Sequence, residues 1–431
     1  MERRLPLVQL LRPTSEQLQE HVISLATYLP RRHFHVTVVG DLDRSLQDVL
    51  TRNAIRWVNV DLSPSATARS RSDLLRLRRL LHTLQPALLH IHGYDLASLA
   101  LAAADSLPTR PALVYTAHEL SGYESGALAL PWAARRRYRR LLGTMDAIIT
   151  ISNRDRQALA TISPSAAAHA EVIPPGLDTR RLRPLTDPGL KRRQLGLMLD
   201  SAVVGAVASL DRHSGLDVFL EAAEIVSEDL PNVEFALVGQ GPLRSQLEDE
   251  AHHRRLTGST VFLGRRWDLP EVLATFNVVA VTTEAGGGVQ TALQALALGI
   301  AVVATDTGGL REVLGELQDV PLVPPGDAPA LAAAIKGHLE MIVPGSNPAG
   351  GMVTAEGLFM TERQMLVTTE AFDLDLPGSQ ATERKPLRTP GAQLARKYGI
   401  SRMIRHTTAV YRRLLDDNHD ASDEAATPDP D

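Results

Sequence analysis

The sequence predicts an α/β protein with two doubly wound parallel sheets, each in its own domain. Short apolar, β-branched runs alternate with helical patterns along most of the 431 residues, as a parallel sheet requires. The runs are continuously apolar, which is typical of strands buried on both faces. The alternation stops near residue 185 and then restarts. We therefore expect two domains that face each other across a cleft, with ligands bound beyond the carboxyl ends of the strands.

The elements follow in order along the chain. Helical patterns over 17–29 and 72–84 lie between the strands of the first series. That series is predicted at 6–11, 35–40, 87–92, 112–118 and 147–152. After a turn-rich segment, the second series is predicted at 203–210, 233–239, 260–264, 278–283 and 301–306. The domains are thus expected at residues 1–185 and 186–343.

The rest of the chain breaks this rhythm. Residues 344–391 form an irregular insertion rich in Gly, Pro and Thr, with one helical pattern near 356–372. A connection of this length is unusual in a compact domain, so it is either a mobile loop or an interaction element. A carboxyl-terminal helix is predicted over 392–417, and an acidic, disordered tail over 418–431.

Composition limits the compartment and the partners. The chain has no cysteine, which excludes disulfides and thiolate chemistry and fits a reducing compartment. No signal-like segment or membrane-spanning apolar run is present, so we expect a cytoplasmic location. The net charge of −5 is unevenly distributed: residues 1–185 carry 24 Arg, no Lys and 16 acidic residues. Such asymmetry bears on partners and not on the fold.

Four stretches of the sequence carry a family resemblance. They are "DAIITISNRDRQAL" (146–159), "VIPPGLDTRRLRP" (172–184), "VEFALVGQGPLRSQLE" (233–248) and "LQALALGIAVVATDTGGLREVL" (293–314). In this order they resemble the family-4 glycosyltransferases of the GT-B fold, which have two Rossmann-like domains. The resemblance covers essentially residues 6–340 and 392–416. It implies transfer of a sugar, with retention, from a nucleotide sugar to an acceptor, without a metal or other cofactor. Donors would bind the second domain and acceptors mainly the first.

A glycine-rich loop is the predicted donor site. Gly286, Gly287 and Gly288 separate a strand from a helix that begins near Val289, and Gln290 lies in its first turn. Glycines allow close approach of a ligand, and free N–H groups at a helix start favour an anion such as a diphosphate. The alternative is a plain strand–helix turn, because short glycine motifs are weak signals.

The resemblance also implies carboxylates around the donor. The position that usually holds the ribose is Gln294, whose amide accepts a hydrogen bond but carries no charge. Glu284 is the candidate for the donor-sugar carboxylate, although the family spacing would place that group at Gly286. Either an insertion reshapes the loop or the carboxylate is displaced. Glu312 matches a Glu near the nucleotide; alternatively, it is a first-turn carboxylate favoured by the helix dipole.

The diphosphate positions depart from the family. Ser209 and Ser214 stand where the family carries an Arg and a Lys. Cations there would stabilise the negative charge that develops on the leaving nucleoside diphosphate. Serines donate hydrogen bonds without neutralising that charge. Arg212 and His213 are candidate substitutes, or else ordinary surface loop residues.

The amino-terminal domain supplies the acceptor-side candidates. Glu16 and Gln17 replace the family's two glycines, and a carboxylate there would repel a diphosphate. His21 matches a position that is usually His, or it is a helix residue packed at the edge of the cleft. His118 matches the active-site His that contacts the donor sugar near the reacting carbon, although a lone His after a strand is often structural. We interpret His92 mainly as loop architecture.

Two Arg-rich stretches, 69–81 and 135–140, remain. Each is either a solvated helical face or a contact with an anionic membrane or a lipid-linked diphosphate acceptor, as in a peripheral membrane protein. An aromatic content of 4% and the absence of a nucleic-acid motif argue against nucleic acid as a partner.

Three functions follow from these patterns. The first is an active glycosyltransferase of cell-envelope or exopolysaccharide biosynthesis. The second is a catalytically impaired relative that acts as a binding or partner subunit, which the lost cations and the insertion would suit. The third, a nucleotide-sugar epimerase, is disfavoured because it needs a different set of cleft acids and bases.

Overall fold

A computed structural model describes residues 4–12, 16–62, 71–118, 132–182, 184–284, 288–317, 319–342, 394 and 397–424. The chain divides into two compact units, and it passes from one to the other between Gly176 and Leu177 and between Gly399 and Ile400. The first unit thus ends before position 185, where the sequence pattern changes, and it also takes in the carboxyl-terminal helix. Most of the predicted insertion, residues 344–391, lies outside the described residues.

The first unit contains a seven-stranded, wholly parallel sheet in the order β3-β2-β1-β4-β5-β6-β7. From β1 the strand order runs through β2 to β3 in one direction, and from β4 it runs through β5 and β6 to β7 in the other. The boundary between β1 and β4, where the order reverses, is the topological switch point. The strands are β1 (Leu5–Leu11), β2 (Phe34–Gly40), β3 (Arg56–Asn59), β4 (Leu88–His92), β5 (Ala112–Ala117), β6 (Ala147–Thr150) and β7 (Glu171–Val172). The helices are α1 (Glu16–Tyr28), α2 (Arg44–Arg52), α3 (Arg71–Leu84), α4 (Tyr94–Ala104), α5 (Trp132–Leu142), α6 (Asn153–Ile162) and α7 (Pro164–His169).

The second unit contains a six-stranded parallel sheet in the order β10-β9-β8-β11-β12-β13, with its switch point between β8 and β11. The strands are β8 (Ala202–Val207), β9 (Val233–Val238), β10 (Thr260–Gly264), β11 (Val278–Val281), β12 (Ala301–Thr305) and β13 (Leu322–Val323). The helices are α8 (Pro188–Leu195), α9 (Leu216–Asp229), α10 (Arg244–His253), α11 (Leu269–Leu273), α12 (Val289–Ala297), α13 (Gly308–Leu314) and α14 (Ala328–Ile342).

The last helix, α15 (Ile400–Glu424), returns to the first unit. Its apolar face, including Met403 and Tyr411, packs in one buried cluster with Leu7 of β1 and Val114 of β5. Burying an apolar side chain of this size stabilises a fold by about 1.5–3 kcal/mol. The helix thus completes the apolar cover on one face of the first sheet.

The two doubly wound parallel sheets that the sequence predicts are confirmed, and each of the ten predicted strands is present. The missed strands are short or lie at the sheet edge: β7 and β13 have two residues each, and β3 is a partly exposed edge strand. The helix α15 continues to Glu424, into the segment predicted to be disordered from 418. No Gly or Pro lies between 418 and 424 to end it. Among the helices described, none is long and apolar enough to cross a membrane.

Candidate functional site

Three histidines of the first unit gather at the carboxyl edge of its sheet. His92 ends β4, His118 directly follows β5, and His21 lies on α1, the helix after β1. The ring centroids are 5.7 Å apart for His21 and His92, 5.1 Å for His21 and His118, and 5.5 Å for His92 and His118. Nδ1 of His92 lies 3.2 Å from Nε2 of His118. The parallel topology brings these residues together because strands next to the switch point end at the same edge.

A hydrogen-bonded chain leads from His92 into the core. Nε2 of His92 lies 2.5 Å from Oε1 of Gln9 on β1, and Nε2 of Gln9 donates to the Tyr411 hydroxyl at 3.4 Å. That hydroxyl lies 2.6 Å from Nδ1 of His90, whose Nε2 lies 2.7 Å from Oγ1 of Thr116. All five side chains are buried, so each of these polar groups depends on its protein partner.

This series of hydrogen bonds determines which ring nitrogen carries the proton. Oε1 of Gln9 can only accept, so Nε2–H of His92 donates to it, and Nδ1 of His92 offers a lone pair toward His118. In the same way the Tyr411 hydroxyl, which accepts from Gln9, donates to Nδ1 of His90. The neutral rings of His90 and His92 then each have one defined tautomer.

Burial keeps the histidines neutral. Desolvation lowers the pKa of His21 to about 4. Burial, assisted by the neighbouring imidazoles, also lowers the pKa values of His90, His92 and His118 well below 6.5. The pKa of Tyr411 is raised by burial. At neutral pH the cluster is therefore uncharged, and its imidazoles offer lone pairs rather than positive charge.

Five site residues are predicted in this unit, and the structure brings three of them together, namely His21, His92 and His118. His92, interpreted from the sequence as loop architecture, instead links His118 to Gln9. Glu16 and Gln17 open α1, but their side chains lie outside the described residues. Sequence reasoning missed Gln9, His90, Thr116 and Tyr411. A signal was present, since Gln9 and His90 are polar residues inside otherwise apolar strand runs.

In the second unit, two loops meet at the carboxyl edge of β8 and β11. The backbone N–H of Glu284 donates to the His213 carbonyl at 3.0 Å, and the Thr282 hydroxyl donates to the Ser214 carbonyl at 2.8 Å. The Thr305 hydroxyl, at the end of β12, donates to the Thr283 carbonyl at 2.6 Å. These bonds join the loop after β8 to the loop after β11, at the switch point where a doubly wound sheet binds its ligand.

Each of these loops ends in a glycine with a left-handed backbone conformation, and a helix begins directly after that glycine. Gly215 precedes α9 with φ of 63°, and Gly288 precedes α12 with φ of 81°. A Cβ at Gly215 would lie 2.1 Å from the Thr282 carbonyl oxygen, and one at Gly288 would lie 2.3 Å from Cγ1 of Val281. The residue before the first turn of each helix is a glycine, which has no side chain to cap the helix.

The predicted diphosphate residues occupy the first of these loops. Ser214 is buried, and its hydroxyl donates to the Asp211 carbonyl at 2.7 Å, within its own turn. Ser209 is half-buried, and Arg212 and His213 are exposed. The exposure of Arg212 is that of a surface loop residue.

The remaining donor candidates lie on or next to α12 and α13. Glu284 is exposed at the end of the strand–loop segment, and Val289 is half-buried. Gln290 and Gln294 are buried on α12, and Glu312 is half-buried on α13. Gly286 and Gly287 lie outside the described residues.

Comparisons with known proteins identify what this chain is similar to. A model of "Glycosyltransferase Family 4" matches residues 18–181, and a model of "Glycosyl transferases group 1" matches residues 201–341. A GDP-mannose-dependent alpha-(1-6)-phosphatidylinositol monomannoside mannosyltransferase of Mycolicibacterium smegmatis is 28% identical over 69% of this chain and 82% of its own. A 2-deoxystreptamine N-acetyl-D-glucosaminyltransferase of Streptomyces fradiae is 29% identical, but the match spans 43% of this chain and 45% of that protein.

A solved structure shows the same fold. The crystal structure of Anabaena Alr3699/HepE in complex with UDP-glucose superposes with a TM-score of 0.72 at 18% identity, over 95% of this chain and 100% of that one. At this identity the likeness concerns the fold alone. Together with the family models, it supports a glycosyltransferase of the group 1/family 4 type with the GT-B fold.

Proposed function

We propose that this chain, similar to group 1/family 4 glycosyltransferases over both sheets, transfers a sugar with retention from a nucleotide sugar to a saccharide or lipid-linked acceptor. The process is the biosynthesis of a cell-envelope or exported polysaccharide. Relatives named for teichuronic acid and lipopolysaccharide core biosynthesis support this context.

One observation carries the donor assignment. The loops after β8 and β11 are hydrogen-bonded to each other at the switch point, and each leads into a helix directly after a left-handed glycine, which has no capping side chain. Two helix N-termini offer partial positive charge and N–H donors, the arrangement that favours a diphosphate. They would partly compensate for the cations that Ser209 and Ser214 do not supply.

The donor groups follow from this placement. In the proposal, Gln294 accepts from the ribose, and the backbone of Gly286, Gly287 and Gly288 approaches the diphosphate. Glu284 accepts hydrogen bonds from the donor sugar. Glu284 is exposed, so its carboxylate is able to accept a hydrogen bond from a sugar hydroxyl.

His118 is the proposed active-site histidine of the first unit. In the described structure its Nε2 faces Nδ1 of His92, and burial keeps the imidazole neutral at pH 7. A neutral imidazole can hydrogen-bond a sugar hydroxyl without repelling the positive charge that develops on the sugar as the diphosphate leaves. His92 and Gln9 then orient the ring of His118 rather than contact the substrate.

The acceptor side has a candidate membrane contact. Helix α5 exposes Trp132, Arg136, Arg137, Arg139 and Arg140 and carries no acidic residue. An Arg-rich face with an exposed Trp suits the headgroup region of an anionic membrane. Binding to vesicles with phosphatidylglycerol, but not to neutral phosphatidylcholine vesicles, is the expected result; equal binding to both would contradict it.

A substitution of Glu284 tests the donor assignment. Glu284→Gln should reduce the affinity for a nucleotide sugar toward that for the bare nucleoside diphosphate, because a neutral amide accepts a sugar hydroxyl more weakly than a charged carboxylate does. Calorimetry with UDP, GDP and their sugars measures both affinities. Glu228→Gln, an exposed glutamate on α9, is the matched control. Unchanged sugar affinity in Glu284→Gln would refute this assignment.

The alternative is a catalytically impaired binding or partner subunit. The exposed Arg212 and the inward bond of Ser214 favour it, because neither places a cation on the diphosphate. Nucleotide binding without turnover of any donor would support this alternative over an active enzyme.

A further inference from the structure

We propose that His21, His92 and His118 form a binding site for one divalent transition-metal ion of the Zn²⁺ class. One ring nitrogen of each histidine lies within 4.8 Å of those of the other two. The site lies wholly within the first unit, at the carboxyl edge of β4 and β5. The glycine loop proposed to bind the donor diphosphate belongs to the second unit.

The spacing of the rings fits a shared metal. With Zn–N bonds of about 2.0–2.1 Å, neighbouring ligand nitrogens in a tetrahedral site lie about 3.3 Å apart, and their ring centroids about 5.2 Å apart. The observed His92–His118 nitrogen distance is 3.2 Å, and the three centroid distances run from 5.1 to 5.7 Å. Small movements of His21 would therefore complete a three-histidine site.

The partners of the rings also suit metal binding. Nε2–H of His92 donates to Oε1 of Gln9, which directs the Nδ1 lone pair outward. Ligating histidines usually have such a partner on the second ring nitrogen, since it fixes the tautomer and the ring orientation. The buried Nδ1 of His21 has no hydrogen-bond partner among the described residues. An unpaired buried nitrogen is costly, and coordination or a change of tautomer on metal binding would relieve the cost.

The chemistry of the ligands selects the metal. Three neutral imidazoles, the ligands that the described residues offer here, favour Zn²⁺, Co²⁺, Ni²⁺ or Cu²⁺ over Mg²⁺ or Ca²⁺, which prefer oxygen. His118 is the most exposed of the three and sits directly after the strand end. Three histidine ligands leave one of the four zinc positions for water, which is the arrangement of catalytic zinc sites.

Metal binding has a consequence that rests on the proposed function. Coordination uses Nε2 of His118, which now donates to Nδ1 of His92, so the ring proton must move to Nδ1 and that atom can no longer accept a hydrogen bond from a donor-sugar hydroxyl. Zn²⁺ should therefore inhibit transfer, and a chelator should restore it.

The binding test uses the full chain, stripped of metal by chelation and dialysis. Calorimetry should show one equivalent of Zn²⁺, and Co²⁺ should give the intense visible absorption of a four-coordinate site. His92→Gln should weaken Zn²⁺ binding by at least about 10- to 100-fold, because removing only the hydrogen-bond partner of a metal ligand already causes a loss of that size. The double variant His252→Gln/His253→Gln changes two exposed neighbouring histidines on α10 and should bind as the wild type does.

The outcomes distinguish the proposed metal site from the proposed role of His118 in transfer. Zn²⁺ binding that survives His92→Gln but is lost in the α10 double variant would mean adventitious surface binding and overturn the site. No binding at millimolar Zn²⁺ would also overturn it and leave the histidines as a hydrogen-bonded cluster only. Because His92→Gln could fold poorly, far-UV circular dichroism and the Zn²⁺-induced rise in Tm of the wild-type chain accompany the titration. Zn²⁺ binding without inhibition would overturn the assigned role of His118 while leaving the metal site in place.

Discussion

Nδ1 of His92 lies 3.2 Å from Nε2 of His118, and the other nitrogen of His92 is held by Gln9. The pair connects the end of one strand to the loop after the next and sets the orientation of the proposed active-site ring. Both rings are kept neutral by burial. The same pair supports both the proposed transfer chemistry and the proposed metal site.

Replacing His118 tests its role in transfer. His118→Gln keeps a hydrogen-bonding side chain but shifts its polar atoms, so a sugar hydroxyl would lose its partner. Leaving a buried polar group unpaired costs about 1–3 kcal/mol, which corresponds to a loss of roughly 5- to 150-fold in kcat/KM. Steady-state kinetics with the preferred donor measures it. The variant His169→Gln, an exposed histidine on α7, should retain full activity; wild-type kcat/KM in His118→Gln would contradict the assignment.

The glycine before α12 should resist substitution. Gly288→Ala places a side chain at φ of 81° and brings its Cβ to 2.3 Å from Cγ1 of Val281. Gly326 has φ of 79° with nothing within 4 Å of such a Cβ, so Gly326→Ala carries the backbone strain alone. We expect Gly326→Ala to cost about 1–2 kcal/mol of unfolding free energy, and Gly288→Ala to cost more. Urea denaturation measures both, and equal losses would mean that the contact with Val281 does not matter.

The hydroxyl of Tyr411 should matter for activity as well as for stability. Tyr411→Phe keeps the buried ring but leaves His90 and Gln9 without their partner. Tyr138→Phe removes another buried hydroxyl of this unit, 2.8 Å from that of Tyr115. Both variants should lose about 1–3 kcal/mol of unfolding free energy. Only Tyr411→Phe should lower kcat, through the orientation of His92 and His118; equal kcat values in the two variants would argue against a positioning role.

Acid should destabilise the protein through its buried histidines. Their folded-state pKa values lie below the 6.5 of an unfolded chain, that of His21 at about 4, so the unfolded state binds more protons in this window. Their contribution to stability is fully present above about pH 6.5 and is lost as the pH falls toward 4. His21 alone accounts for about 3 kcal/mol. Urea denaturation of metal-free protein between pH 7.5 and 4 should show this loss, and His21→Gln should reduce it; a flat profile would contradict the assigned burial.

Much of the fold could be predicted because strand runs and helix periods are local signals. The short strand β7 could not, since two residues carry no pattern, and α15 could not be assigned to the first unit because its partners Leu7 and Val114 are hundreds of residues away. A similar separation along the sequence prevented prediction of the hydrogen-bonded network around His92. His90 and Gln9 are visible as polar residues in apolar runs, but Tyr411 joins them only through tertiary packing.

The loops at the second sheet show another limit. The sequence places Ser214 where the resemblance expects a cation, but only the structure shows that its hydroxyl bonds to the Asp211 carbonyl. Likewise, the sequence predicts only that Gly288 allows close approach of a ligand, whereas its positive φ and the nearby Val281 show why no other residue fits well there.

Nucleotide binding is the most direct test of the central claim that the second unit binds a nucleotide-sugar donor for transfer. Calorimetry of the full chain with UDP, GDP and their sugars should show binding of at least one nucleotide with a Kd below about 1 mM, an affinity of roughly −4 kcal/mol or better. The corresponding nucleotide sugar should be turned over, with release of the nucleoside diphosphate. Absence of binding by every nucleotide at millimolar concentration would contradict the account.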